Sequence, residues 1–377
     1  MNPAPLSVDD LLRRMAELES SDLHLTAGSE PVVRVRGRLE RLDGCEKLTP
    51  EAVRELVYRI LSTEQQKILE TRRSVDFAYS LPGVARFRVN VFFQRATIGA
   101  AFRMIPTQIK SLEELGLPDH LAELAAQPRG LVLVTGPTGS GKSTTLATLI
   151  DLINRSRHEH ILTIEDPIEF LHWHRNCIVN QREVGPDTPT FADALRAALR
   201  QDPDVVLVGE MRDLETIATA LTAAETGHLV FATLHTQSAP QTIDRIIDVF
   251  PAEQQDQVRI QLASTLQGIV TQTLVPTADG RGRIAALEIL IPDDAVRNLI
   301  RQGKIEQIYS VIQTGTARGM QTMEQALADL VLRKVITREV ALSRSSRTEQ
   351  LESLLERGVS LGTNRSSLHN GLRVAGV

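Results

Sequence analysis

The segment Gly136-Pro-Thr-Gly-Ser-Gly-Lys-Ser143 constrains this chain more than any other. It fits the spacing G-x-x-x-x-G-K-[ST]. It also lies between a short apolar run, Leu131-Val-Leu-Val134, and a helix-patterned stretch, Ser143–Asn154. A strand, a glycine-rich turn and a helix in that order make a phosphate-binding loop. The glycines let backbone N–H groups converge on phosphate oxygens, and the positive end of the helix adds attraction. Gly136, Pro137, Thr138, Gly139, Ser140, Gly141, Lys142, Ser143 and Thr144 are therefore expected around the phosphates of ATP. Lys142 should reach the β- and γ-phosphates, and the Ser143 hydroxyl should ligate Mg²⁺.

The surrounding pattern extends this loop into an α/β sheet. Ile161-Leu-Thr-Ile164, Val205-Val-Leu-Val208 and Leu229-Val-Phe-Ala-Thr233 are short apolar runs, as expected of strands buried on both faces. Helix-like segments Phe191–Leu199 and Asp213–Glu225 lie between them, which predicts a doubly wound arrangement. In such sheets ligands bind outside the carboxyl ends of the strands. Glu210, two residues past Val208, is then a candidate acid acting on Mg²⁺ directly or through water. Glu165 and Asp166 end a second strand on the same edge, where one of them could polarise an attacking water. His228 and His235 bound a third strand at opposite ends, so both cannot touch one phosphate. His235 is the expected phosphate sensor, and His228 a packing or subunit-contact residue.

Residues 1–104 read differently. Leu6–Leu18 and Thr49–Leu69 have helical patterning, and Leu23–Leu25, Pro31–Leu39, Val75–Tyr79, Ala85–Phe92 and Ile98–Met104 read as strands. An α+β module with an antiparallel sheet is expected. Arg86, Arg88, Arg95 and Arg103 decorate its later strands, with Arg86 and Arg88 on one face. Such arginines could close over the nucleotide of the same chain or a neighbour. Residues 105–112 read as a linker, 113–342 as the nucleotide-binding domain with a mostly helical part from Ser238 to about Arg338, and 343–377 as a loosely ordered tail.

Composition argues against several classes. The 377 residues carry a formal net charge of -5, which gives no basic excess for nucleic acid. The only cysteines, Cys45 and Cys177, form neither a disulfide framework nor a four-cysteine zinc site. No basic segment followed by an apolar run opens the chain, and no stretch approaches the ~18 apolar residues of a membrane span. A cytoplasmic protein is expected, reaching a membrane only through partners.

Taken together, these motifs resemble the secretion and pilus motor ATPases of the type II/type IV secretion superfamily. Ser21-Asp-Leu-His-Leu25 is similar to that family's N-terminal signature, and Arg86-Phe-Arg-Val-Asn90 and Phe102-Arg-Met-Ile-Pro106 to its sheet arginines. Ile164-Glu-Asp-Pro-Ile-Glu169 resembles its Asp box, Gly209-Glu-Met-Arg-Asp213 its Walker B, and Thr226–Thr236 its His box. Ala295-Val-Arg-Asn-Leu-Ile-Arg-Gln-Gly-Lys304 resembles the segment that marks retraction motors, with Val296 and Gln302 replacing the usual Ile and Glu. The patterning places Ala295, Val296, Leu299 and Ile300 on one helical face and Arg297 and Arg301 on another.

The resemblance implies a homohexameric ring whose subunits pair an N-terminal PAS-like domain with a RecA-like P-loop domain. It implies Glu165 as catalytic base, Glu210 as the Mg²⁺-linked Walker B acid, and Arg88 and Arg103 as arginines approaching the phosphates. The implied work is type IV pilus retraction and twitching motility, through an inner-membrane platform protein and with a second retraction ATPase as a further partner. A pilus-extension or type II secretion ATPase is the alternative, followed by a low-activity accessory ATPase and a nucleic-acid translocase.

Overall fold

The computed structural model describes residues 6–361 apart from 36 and 107. The chain divides after Gln108 into two compact units, and Glu169–Leu171 groups with the first.

The first unit is built on a six-stranded antiparallel sheet. It comprises β1 (Asp22–Leu25), β2 (Val32–Val35), β3 (Arg38–Arg41), β4 (Ser74–Leu81), β5 (Ala85–Gln94) and β6 (Thr97–Ile105), in the order β3-β2-β1-β6-β5-β4. The run read as one strand over Pro31–Leu39 is a hairpin, because Gly37 adopts φ 84° and turns the chain between β2 and β3. Helix α1 (Val8–Glu17) packs Val8, Leu11, Leu12 and Met15 into the core of this unit. The single helix expected over Thr49–Leu69 is two, α2 (Pro50–Tyr58) and α3 (Thr63–Arg72). Ser62 and Gln65 form a reciprocal capping box that starts the second helix.

The second unit carries a seven-stranded sheet. Its strands are β7 (Gly130–Thr135), β8 (His160–Glu165), β9 (Ile178–Glu183), β10 (Val205–Val208), β11 (Leu229–Leu234), β12 (Leu266–Pro276) and β13 (Arg283–Leu290), in the order β13-β12-β7-β11-β10-β8-β9. All neighbouring pairs are parallel except β12 with β13. Alternation along β7 feeds two separate cores. Leu131 and Leu133 join the core that includes α7 (Leu214–Glu225), while Val132 and Val134 join Leu146, Leu149 and Ile150 of α5 (Lys142–Ser156). Helices cover both faces, as the apolar runs require.

Three strands escaped the sequence pattern. The mostly helical stretch expected from Ser238 contains β12 and β13. Helix α9 (Ala252–Thr265) passes into β12 at the next residue with no turn between them, and the nearest glycine, Gly268, already lies inside the strand. β13, Arg-Ile-Ala-Ala-Leu-Glu-Ile-Leu, contains good helix formers and is a strand because it pairs with β12 over eight positions. Edge strand β9 is mostly polar, Ile-Val-Asn-Gln-Arg-Glu. The loosely ordered tail expected from residue 343 is also corrected. Helix α14 (Thr348–Leu361) buries Leu351 and Leu355 in a core shared with Leu327 and Leu330 of α12 (Met323–Leu332), and residues 362–377 lie outside the described residues. Among the described residues no helix is long and apolar enough to cross a membrane.

Candidate active site

The phosphate-binding loop leaves β7 and enters α5 with the geometry its glycines permit. Gly136, Gly139 and Gly141 have φ of 135°, 77° and 90°, all in the region that disfavours side chains. A Cβ on Gly136 would lie 2.2 Å from the backbone oxygen of Gln272, and one on Gly141 2.7 Å from Gln272 Nε2. Lys142 Nζ donates to the carbonyls of Gly136 at 2.9 Å and Pro137 at 3.1 Å, which holds the ammonium over the loop.

Gln272 on β12 shapes this loop, and no motif pointed to it. Its side chain is buried and bonded at both ends. Gln272 Nε2 donates to the carbonyl of Ser140 at 2.7 Å, and Thr145 Oγ1 donates to Gln272 Oε1 at 2.8 Å. One amide thus ties the crest of the loop to the first turn of α5. One residue earlier on β12, Thr271 Oγ1 lies 2.9 Å from Thr135 Oγ1 at the end of β7.

The register brings the predicted acids to the same edge. Leu234 pairs with Thr135, Val208 with Ala232 and Val208 with Ile164, so the chain leaves β7, β11, β10 and β8 on one side of the sheet. Gly209 N–H donates to the carbonyl of Ile164 at 2.7 Å, setting the turn that carries Glu210 against the strand end that carries Glu165. Glu210 accepts from Arg212 Nη2 at 2.6 Å, and His235 Nε2 lies 3.0 Å from its Oε1. Burial alone would push the Glu210 carboxyl up, but the hydrogen bonds and charges of Arg212 and His235 outweigh it and hold the group below the usual carboxylate range. Glu210 is thus kept ionised. His235 stands beside the acid, whereas His228 sits at the other end of β11 with Nδ1 3.0 Å from the carbonyl of Ala223, fastening the end of α7.

Of the two acids ending β8, Glu165 is buried and Asp166 exposed. Glu165 Oε1 accepts from Thr163 Oγ1 at 2.7 Å and from Gln181 Nε2 at 3.2 Å. A second buried acid, Glu183, stands in register with Glu165 on β9, where the sequence pattern showed no strand.

Within the first unit, the cross-strand register aligns Arg34, Asp22, Arg103 and Arg88 in one row over β2, β1, β6 and β5. Arg103 Nε donates to Asp22 Oδ1 at 2.8 Å, and Arg34 Nε lies 3.6 Å from Asp22 Oδ2. Desolvation would raise the Asp22 carboxyl, yet the hydrogen bonds from Ser21 and Arg103 and the neighbouring charges lower it. Arg103 is therefore engaged by a carboxylate of its own sheet. Arg88, its cross-strand neighbour, is exposed.

A P-loop, an ionised acid just past β10 and a second acid ending β8 fit a phosphoryl-transfer site. The model of the type II/IV secretion system protein family matches residues 2–368. The chain belongs to this family. It is 53% identical over 340 residues to the type IV pilus retractation ATPase PilT of Pseudomonas aeruginosa, covering 90% of this chain and 98% of that protein. It is 43% identical over 368 residues to the type IV pilus ATPase PilU of the same organism, covering 97% of this chain and 96% of that protein. A crystal structure of the pilus retraction motor PilT with bound ADP superposes with a TM-score of 0.86 at 51% identity, covering 92% of this chain and 99% of that one. The two-sheet α/β fold expected from the sequence agrees with that structure.

The segment read as the retraction signature forms α10 (Asp294–Arg301). Its buried face is narrower than the sequence implied: Val296 and Ile300 are buried and Leu299 partly so, but Ala295 is exposed. Asp293 caps the helix by accepting from the N–H of Val296, and the burial of Val296 and Ile300 leaves Ala295 facing outward in the first turn. Arg297 is half-buried and donates to the carbonyl of Ala263 on α9, whereas Arg301 is exposed. Part of the basic face is therefore packing.

Proposed function

We propose that this chain is the motor ATPase of type IV pilus retraction, acting as a ring of six copies in the cytoplasm against an inner-membrane platform protein. A second retraction ATPase is a further partner. The observation that carries the reading is the single sheet edge gathering the P-loop, Glu165, Glu210 and His235, in a chain alike to PilT over 98% of that protein's length.

The P-loop amides hold the phosphates of ATP, and Lys142 neutralises charge between the β- and γ-phosphoryl groups as the bond to the leaving ADP breaks. Glu165 accepts a proton from the water whose oxygen attacks the γ-phosphorus. His235, beside Glu210, orients toward the γ-phosphoryl group and reports its loss. The Ser143 hydroxyl and the ionised Glu210 are hard oxygen donors of the kind Mg²⁺ prefers. They would hold that ion, which supplies charge neutralisation at the phosphates. Of the two arginines, exposed Arg88 is the stronger candidate for stabilising phosphoryl charge, since Arg103 is already paired with Asp22.

The test is deletion of the gene, followed by counting surface pili and measuring twitching. Surplus pili without twitching is the retraction outcome; bald cells would assign the chain to extension. Robust hydrolysis by the purified protein, unstimulated by DNA, separates it from an accessory ATPase and from a translocase.

A further inference from the structure

Glu165 is held by an ordered set of partners. β8 and β9 are parallel, with Thr163 opposite Gln181 and Glu165 opposite Glu183, so these four side chains lie on one face of the sheet. Both hydrogen bonds described above, from Thr163 Oγ1 and Gln181 Nε2, converge on the same oxygen, Oε1. The Gln181 amide is oriented in turn: its Oε1 accepts the backbone N–H of His172 at 2.8 Å, which directs its NH₂ toward the carboxylate. Thr163 and Glu165 are buried at 0% and 9% exposure, so the bond between them is not exchanged freely for water.

We propose that Thr163 and Gln181 are positioning residues for hydrolysis, fixing the plane of the Glu165 carboxylate, and that His172 serves through its main chain by setting the Gln181 amide. The proposal rests on the reading of Glu165 as general base. A glutamate carboxylate, carried on three side-chain torsions, can rotate away from the line of attack, and small misplacement of a catalytic group is costly in rate. Two donors on one oxygen, one from the same strand and one from its neighbour, remove that freedom. They make no demand on phosphate binding, which belongs to the loop after β7. Loss of either donor should therefore lower kcat and spare KM.

The experiment measures steady-state ATP hydrolysis and ADP affinity of the full chain for Thr163→Val, Thr163→Ser, Gln181→Leu and Glu165→Gln. We expect kcat to fall about tenfold for Thr163→Val and for Gln181→Leu, less than the roughly 10²- to 10⁴-fold that the general base as a whole supplies. KM and ADP affinity should stay within a factor of about two, and Thr163→Ser, which keeps the hydroxyl, should restore kcat. Unchanged kcat in both donor variants beside an inactive Glu165→Gln would overturn the positioning role and leave the base in place. An active Glu165→Gln would overturn the base and its positioning together. A rise in KM with unchanged kcat, or failure of Thr163→Ser to rescue, would show a structural effect and also overturn the proposal.

Discussion

Replacing Gln272 with leucine is the sharpest probe of how the phosphate-binding loop is held. The substitution keeps most of the volume but deletes both polar ends of the amide. It strands the Ser140 carbonyl and the Thr145 hydroxyl, both in residues no more than 2% exposed. Each buried group left without its partner costs about 1–3 kcal/mol, so the pair amounts to about 2–6 kcal/mol. For a domain of this size each kcal/mol moves the melting temperature by about 2–4 °C, so Tm should fall by about 4–24 °C. Part of the loss should be local. The tie between the loop crest and the first turn of α5 disappears, so ADP affinity should drop along with stability. Thermal unfolding with and without ADP, plus a titration of ADP, reads both effects. If Gln272→Leu melts within about 2 °C of the parent and binds ADP equally well, the amide is not the strut described here.

Gly136→Ala should abolish nucleotide binding, since its Cβ would lie 2.2 Å from a backbone oxygen that cannot swing aside; an ADP titration tests this. Lys142→Ala should abolish hydrolysis while leaving secondary structure and assembly intact, as circular dichroism and light scattering would report. Glu288 of β13 should make stability depend on pH. Burial pushes its carboxyl up to about 7, with Glu324 nearby reinforcing the shift and the N–H of Ala239 opposing it. The folded chain thus holds a proton that the unfolded chain releases above its ordinary value of 4.5, so stability should fall as pH rises from about 4.5 through 7. The loss should be about 3 kcal/mol, and Glu288→Gln should flatten that slope in denaturant melts across the same range.

What the sequence disclosed follows from how local each signal is. The P-loop, Glu165, Glu210 and His235 lie within or just after buried strands, so spacing along the chain was enough to place them on one edge. Their supports were not visible. Gln272 serves the P-loop from 132 positions away, across a strand pair that no turn residue announces. Gln181 sits on a polar edge strand whose pairing with β8 alone makes it a strand. Thr163 looked like one more residue of an apolar run until its hydroxyl was seen on Glu165. Ala295 fell on the wrong side because helical periodicity fixes relative angles, while the Asp293 cap and the packing of Val296 and Ile300 fix which way the helix faces. The final helix was hidden by the Ser- and Arg-rich stretch before it, although Leu351 and Leu355 are at helical spacing.

The two halves of the proposed chemistry hang from parts of the sheet with unequal tenacity. β7 is laddered on both sides, to β11 and to β12, which puts its amides at the high-stability end of the domain. β9 has a neighbour on one side alone, and a one-sided strand can peel while the rest stays closed. Gln181 goes with it. If Glu165 is the base, a brief fraying of that border would loosen the grip on it and idle the chemistry while ATP stays seated, which would make holding fuel and burning it mechanically separable in one domain.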